Sequence, residues 1–444
     1  MEVSTAQHLA VMLVVGLALI TALPAIAADW TPVAPRDEIR PDFAREATGG
    51  REGGEALVIT MDQREGLHGW WSRTFSVTGG QWYKFRAYRR LMNVPDLRRM
   101  VAMRVFWSDA TGQPVPHCGS VVRGYLKGWT DPAAECEHPR DGATDAEGWT
   151  EVGGVYRAPD QAVQARVELG LQGAPGGSVA WSEASVEAVE APPPRRVRLA
   201  TIHYCPGGGK SPADNCRQYE PYIAEAARQK ADLVVLGEVL TSVGLGGKPH
   251  DWAEPIPGPS TRYFGRLARK HNMYIVPGLL ERDGHLVYNV AVLIGPDGEV
   301  VGKYRKVCLP RGEDTSGVTP GTEYPVFSTR FGKVGMMICY DGFFPEVAQQ
   351  LVRNGAEVIA WPVWGCNPEL AAARALDNQV YLVSSTYEAK ESNWMLSAVW
   401  GHDGRPLASA KEWRTVAVAE VDLNARTFWP CLGHFGDAVW RHQP

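Results

Sequence analysis

The chain has 444 residues, and at roughly 150 residues per domain it is too long for one small module and predicts two or three domains. Hydrophobic residues at 45% and charged residues at 21% are ordinary for a globular protein with large cores, which excludes wholesale disorder. Lys and Arg number 45 against 50 Asp and Glu, a net charge of -5 with no long run of either sign, so nucleic acid is not an expected partner.

The first element is an almost continuous apolar run over 9–20, followed by Ala25-Ile26-Ala27, the small residues a signal peptidase requires. We expect a signal peptide over 1–27 and an exported protein, periplasmic or extracellular. The opening stretch carries Glu2 and no Lys or Arg, which departs from the usual pattern. An uncleaved membrane anchor is the alternative, since 9–28 just reaches the ~20 apolar residues a span needs, although Pro24 favours cleavage. Export would let thiols pair. Cys118 with Cys136 and Cys205 with Cys216 are the local pairs; a zinc set of His117, Cys118, Cys136 and His138 is the weaker reading.

Over 30–190, short runs at 56–60, 70–77, 82–88, 103–107, 163–171 and 179–189 are separated by Gly-rich turn signals. With 47 Gly, 32 Pro and 16 Trp in the whole chain, this predicts an antiparallel β-sandwich. The succession Gly148-Trp149, Val155-Tyr156-Arg157-Ala158-Pro159 and 165–171, with Trp181 and Val186 beyond, resembles the jelly-roll, carbohydrate-binding-like (galactose-binding-like) modules. That resemblance implies a spacer or docking unit, with glycan contact through Trp70, Trp71 or Trp82 set against plain core packing.

Ala191-Pro192-Pro193-Pro194 followed by Arg195-Arg196 reads as a stiff linker, 191–196, ahead of a second domain over 197–444. There the rhythm changes. Strands are expected at 198–203, 233–236, 273–280, 288–295, 299–304, 333–338, 357–361 and 380–386, and helices at 219–230, 261–271, 344–354 and 369–378. This alternation predicts an α/β domain with its sheets covered by helices. The tail, 415–444, carries Trp429, His434 and Trp440 and suits a packing or dimer-facing extension.

Three reactive side chains follow buried strands or a hairpin, where sites in α/β sheets gather. Glu238 follows Leu233-Val234-Val235-Leu236-Gly237, Lys306 follows the hairpin over 293–305, and Cys339 follows Met336-Met337-Ile338 and precedes Tyr340-Asp341. Taken singly, each has an ordinary reading: a capping carboxylate, a surface charge, a core thiol. In this order, with Tyr288-Asn289 before the hairpin, Leu309-Pro310 after the lysine, and Ala373-Arg374-Ala375 with Asn378, the sequence resembles the nitrilase superfamily of carbon-nitrogen hydrolases over 197–410.

The resemblance implies a four-layer αββα sandwich that pairs into a homodimer or higher oligomer, and hydrolysis of a non-peptide carbon-nitrogen bond. The substrate class is a small amide or carbamoyl compound, with nitrile hydrolysis less favoured, and no cofactor or metal is expected. It further implies that Cys339 attacks to form a thioester, that Glu238 carries the proton, and that Lys306 and the backbone N–H of Tyr340 hold the developing oxyanion. Glu313 is a supporting carboxylate, and Trp364 lines the substrate pocket while Trp361 fills core. Cys366 is a bystander thiol. The alternatives are an N-acyltransferase using the same thioester, and a glycan-binding protein on an inactive hydrolase-like scaffold.

Overall fold

The computed structural model describes residues 29–117, 135–392, 396–429 and 433–442. The expected signal peptide, 1–27, lies outside the described residues, as does Cys118, and with it the Cys118–Cys136 pair and the zinc set. Among the described residues no helix is long and apolar enough to cross a membrane.

Strands of the first half form two antiparallel sheets. One orders Thr31–Val33, His68–Ser76, Gln164–Gln172 and Val101–Ser108; the other orders Asp42–Glu46, Ala56–Thr60, Ser178–Val189, Trp82–Met92, Thr150–Arg157 and Arg140–Thr144. The period-two alternation legible in the sequence directs the packing. Tyr83, Phe85 and Ala87 of one sheet and Met103, Val105 and Trp107 of the other enter a single core, which also buries Trp181. Trp71 belongs to this core as well, its indole donating to Val58 O at 3.2 Å, so it is withdrawn from the glycan-stacking candidates. Trp70 and Trp82 are half-buried.

The second half contains two further sheets. In the first, Leu233–Val235 lies parallel between Arg196–His203 and Tyr274–Val276; Leu286–Ile294, Gly278–Asp283 and Val300–Arg305 extend one side and Thr415–Asp422 the other. In the second, Lys333–Met336, Val358–Pro362 and Tyr381–Ser385 run parallel, flanked by Val326–Ser328, Ser397–Trp400 and Pro406–Ala410.

Alternate residues of one strand serve two cores. Val197, Leu199, Leu233 and Val235 meet Met336, Val358, Ala360 and Val383 of the opposite sheet. Ala200, Ile202 and Val234 instead meet helix residues Ile223, Ala226, Phe264 and Leu267. Helices Pro345–Arg353 and Pro368–Asn378 cover the second sheet through Val347, Leu351, Ala371 and Ala375. The layers are therefore helix, sheet, sheet, helix. The sheets are also joined by buried hydrogen bonds, Thr201 Oγ1 to Ser384 O at 2.6 Å and Ser385 Oγ to Ile202 O at 2.7 Å.

One sequence expectation changes. The strand expected over 273–280 is two, Tyr274–Val276 and Gly278–Asp283, because Pro277 between them has no N–H to donate to a ladder. Cys205 and Cys216 are both unbridged: Cys216 is buried in helix Pro212–Gln218 with its sulfur 3.5 Å from Ser260 Oγ, while Cys205 is partly exposed beyond the end of Arg196–His203. The proline-rich stretch is held beside the second sheet. Arg195 grips Glu357 with both guanidinium nitrogens at 2.7 and 2.9 Å, and Asn424 Nδ2 donates to Pro193 O at 3.0 Å.

Past Asp422 the chain returns to the first half. Helix Phe435–His442 places Arg441 Nη1 3.1 Å from Val101 O, and Asp437 pairs with Arg140 at 3.0 Å.

Candidate active site

Each reactive side chain is delivered by a different backbone device. Glu238 emerges past the carboxyl end of Leu233–Val235, and a close backbone approach holds it there: a Cβ on Gly278 would sit 2.6 Å from Glu238 Cα. Lys306 follows strand Val300–Arg305, with its own N–H donated to Asn289 O at 2.9 Å. Cys339 follows Lys333–Met336 and opens the 3-10 turn Cys339–Phe343 with φ of 42°, a left-handed conformation that a non-glycine residue adopts only when its surroundings impose it.

These elements bring the groups to one spot. Lys306 Nζ lies 2.8 Å from Glu238 Oε1 and 2.8 Å from Glu313 Oε2. Asn289 Nδ2 bridges the same two carboxylates, at 2.8 Å from Glu238 Oε1 and 2.6 Å from Glu313 Oε1. The remaining Glu238 oxygen, Oε2, accepts the Trp364 backbone N–H at 2.8 Å. Cys339 is unbridged, and its sulfur lies 3.7 Å from Gly365 O, next in the chain to Trp364 whose N–H Glu238 accepts. Thus Glu238, Lys306, Glu313 and Cys339 meet, with Lys306 only 1% and Glu238 2% exposed.

Residues 198–430 match the family model of carbon-nitrogen hydrolases. The chain belongs to the carbon-nitrogen hydrolase family. A nitrilase of Pyrococcus abyssi (strain GE5 / Orsay) is 38% identical over 224 residues, covering 48% of this chain and 85% of the relative. The omega-amidase NIT2 of Danio rerio is 32% identical over 253 residues, covering 51% of this chain and 88% of the relative. Among solved structures, Saccharomyces cerevisiae Nit3, a member of the nitrilase superfamily, is 26% identical with a TM-score of 0.45, covering 51% of this chain and 90% of that one. The family match and these two relatives make the protein a carbon-nitrogen hydrolase enzyme.

The electrostatics of this carbon-nitrogen hydrolase follow from a buried carboxylate and a half-buried one sharing one ammonium. Burial opposes the Lys306 charge, but Glu238, Cys339 and Glu313 outweigh it and hold its pKa above the ordinary lysine value. Burial raises Glu313, against the pull of Lys306. Burial also pushes the Cys339 thiol well up, Glu238 adds to the rise, and Lys306 opposes it. The resting sulfur is therefore a thiol at neutral pH. Attack by this sulfur would require its proton to pass to a base, and Glu238 is the carboxylate whose charge acts on it most strongly.

Several contacts of the hydrolase site escaped the sequence. Trp364, expected to line the pocket, is 47% exposed and its ring meets Tyr387 edge-on at 5.3 Å, but its backbone N–H also orients Glu238. Tyr387 donates to Glu238 O at 2.7 Å. Asn289 was noted only as part of a motif, although a polar residue inside the apolar run of Leu286–Ile294 is itself a signal. Trp361 and Cys366 are fully buried in the core of the second half, and Tyr340 packs its ring against Phe343 and Phe344.

Proposed function

We propose that the protein hydrolyses a small amide or carbamoyl compound through a thioester on Cys339. The observation that carries this reading is the convergence of a free thiol, a carboxylate and an ammonium in one largely buried spot. Glu238 takes the thiol proton as sulfur attacks the carbonyl carbon, while Lys306 and the Tyr340 N–H receive the negative oxygen. The carbon-nitrogen bond then breaks, and the proton on Glu238 leaves with the amine. Water enters, gives a proton to Glu238 and its oxygen to the acyl carbon, and releases the acid with the thiol restored. Glu313 and Asn289 hold Lys306 and Glu238 in register. Trp364, exposed beside Glu238, contributes the pocket wall. Relatives named nitrilase and omega-amidase support this substrate class.

The test is ammonia release from a panel of small amides by the full chain and by Cys339→Ala. Loss of about 10³-fold or more in the variant is expected. Undiminished release would remove Cys339 from the chemistry.

Export rests on the apolar run over 9–20 with Ala25-Ile26-Ala27, and N-terminal sequencing of the mature protein tests cleavage after Ala27. The domain division at 191–196 rests on its consecutive prolines, and the galactose-binding-like reading of the first half on its strand pattern. Glycan contact would use the half-buried Trp70 and Trp82, and a glycan array read with the full chain tests it. Homodimer formation is tested by sedimentation.

A further inference from the structure

The turn carrying Cys339 and the segment carrying Lys306 are tied by one buried carboxylate. Asp341 has no exposed surface. Its Oδ2 accepts the Tyr304 hydroxyl at 2.8 Å and the Ile338 N–H at 2.9 Å, and its Oδ1 accepts the Cys308 N–H at 2.8 Å. Tyr304 and Cys308 flank Lys306 by two residues on either side, and Ile338 immediately precedes Cys339. The Asp341 N–H also closes back on Ile338 O at 2.9 Å, enclosing the nucleophile in the turn that keeps its φ positive.

An end cap for the turn would need only the Ile338 bond. The other two reach 33 and 37 residues away, to the element that delivers the lysine. We propose that Asp341 is a positioning residue that sets the separation of the Lys306 ammonium from the Cys339 sulfur, so that the oxygen of an attacked amide develops its charge within reach of the ammonium. The proposal rests on the reading of Cys339 as nucleophile and Lys306 as oxyanion partner. An aspartate suits the role because both oxygens accept: three donors converge on it, and an asparagine would offer one oxygen and turn an NH2 toward the remaining donors. Positioning of this kind carries a large share of rate, since a misplacement of ~1 Å can lower it about 10²-fold.

The test uses the full chain as wild type, Asp341→Asn, Tyr304→Phe and Cys339→Ala. Two quantities are read: kcat and KM for the best amide of the panel, and the rate of iodoacetamide alkylation at Cys339, followed by peptide mass spectrometry. For Asp341→Asn, kcat falls about 10²-fold with KM within about twofold, and alkylation slows. Tyr304→Phe removes one of the three bonds and leaves the carboxylate in place, so kcat falls about three- to tenfold with the same pattern. If Asp341→Asn does not fold, Tyr304→Phe decides alone. Wild-type kcat in the folded variants, or a change confined to KM, overturns the proposal. Retained hydrolysis in Cys339→Ala would instead sink the reading of the site on which it rests.

Discussion

Lys306 has to satisfy two carboxylates at once, and Asn289 makes that arrangement tolerable. A single ammonium between Glu238 and Glu313 leaves an excess of negative charge if both ionise, and the amide of Asn289 gives each carboxylate one further donor. Hydrogen bonds to charged groups contribute about 2 kcal/mol, so Asn289→Ala is expected to lower kcat/KM by about tenfold or more, measured by ammonia release. Glu238→Gln separates two roles of one residue. The Glu238 charge helps hold the Cys339 thiol up and Lys306 opposes it, so removing that charge enlarges the thiolate fraction. Iodoacetamide should then alkylate Cys339 faster than in wild type while hydrolysis is lost, because the base is gone. Slower alkylation together with lost hydrolysis would contradict this account of the resting thiol.

The turn after the strand Lys333–Met336 concentrates strain and packing in a few residues. Gly342 faces Trp361 so closely that an added Cβ would lie 2.0 Å from Trp361 Cζ2, and Arg374 Nε donates to Gly342 O at 3.2 Å from helix Pro368–Asn378. Gly342→Ala is expected to destabilise by at least about 1–3 kcal/mol, read by thermal denaturation, since Trp361 is buried and has little room to move. Asp341 sets a pH dependence. Tyr304, Cys308 and Lys306 face it from the hairpin side, Arg374 binds the turn from its helix, and Glu346 acts on Cys308 from helix Pro345–Arg353. Burial, against the hydrogen bonds it accepts, raises its pKa to about 6 from an ordinary 3.8. A carboxyl raised in the folded state favours folding when protonated, so its contribution to stability is present below pH 3.8 and is lost as pH rises toward 6. Activity runs the other way: protonation converts an accepting oxygen into a donor and breaks the tie. The pH profile of kcat should show an acid limb near pH 6 that is not accompanied by unfolding, measured by circular dichroism at the same pH values.

Over the whole molecule, the tail clamps the first half. Arg426 pairs with Glu137 at 2.6 Å and Asp437 at 3.1 Å, and Asp437 also pairs with Arg140. Glu137 is 2% exposed and receives the Trp107 indole N–H at 3.2 Å. Arg426→Ala would leave two poorly hydrated carboxylates without their shared cation, and a loss of about 3 kcal/mol in unfolding free energy is expected, measured by denaturant titration. A methionine in place of Arg426 tests whether packing alone restores part of it.

How much was legible depended on the distance over which each feature is decided. Helix and strand order in the second half follows from apolar spacing within a dozen residues, and Glu238, Lys306 and Cys339 could be picked out because each ends such a run. Pro277 splitting one expected strand was also local, and the lost N–H explains it. The Trp364 N–H on Glu238 was not legible, because any residue carries that donor and 126 residues separate the two. Cys205 and Cys216 looked paired by proximity in the chain, yet the helix Pro212–Gln218 turns one thiol into the core and away from the other.

The sequence by itself determined the candidate reactive groups and the alternation of strands and helices, since chemistry resides in side-chain type and periodicity in near neighbours. Only the tertiary structure decided how those groups are held: Asn289 between two carboxylates, Asp341 between two segments, and a backbone amide aimed at Glu238. Such contacts depend on where distant strands end relative to one another, and that register is fixed by the packing of two sheets.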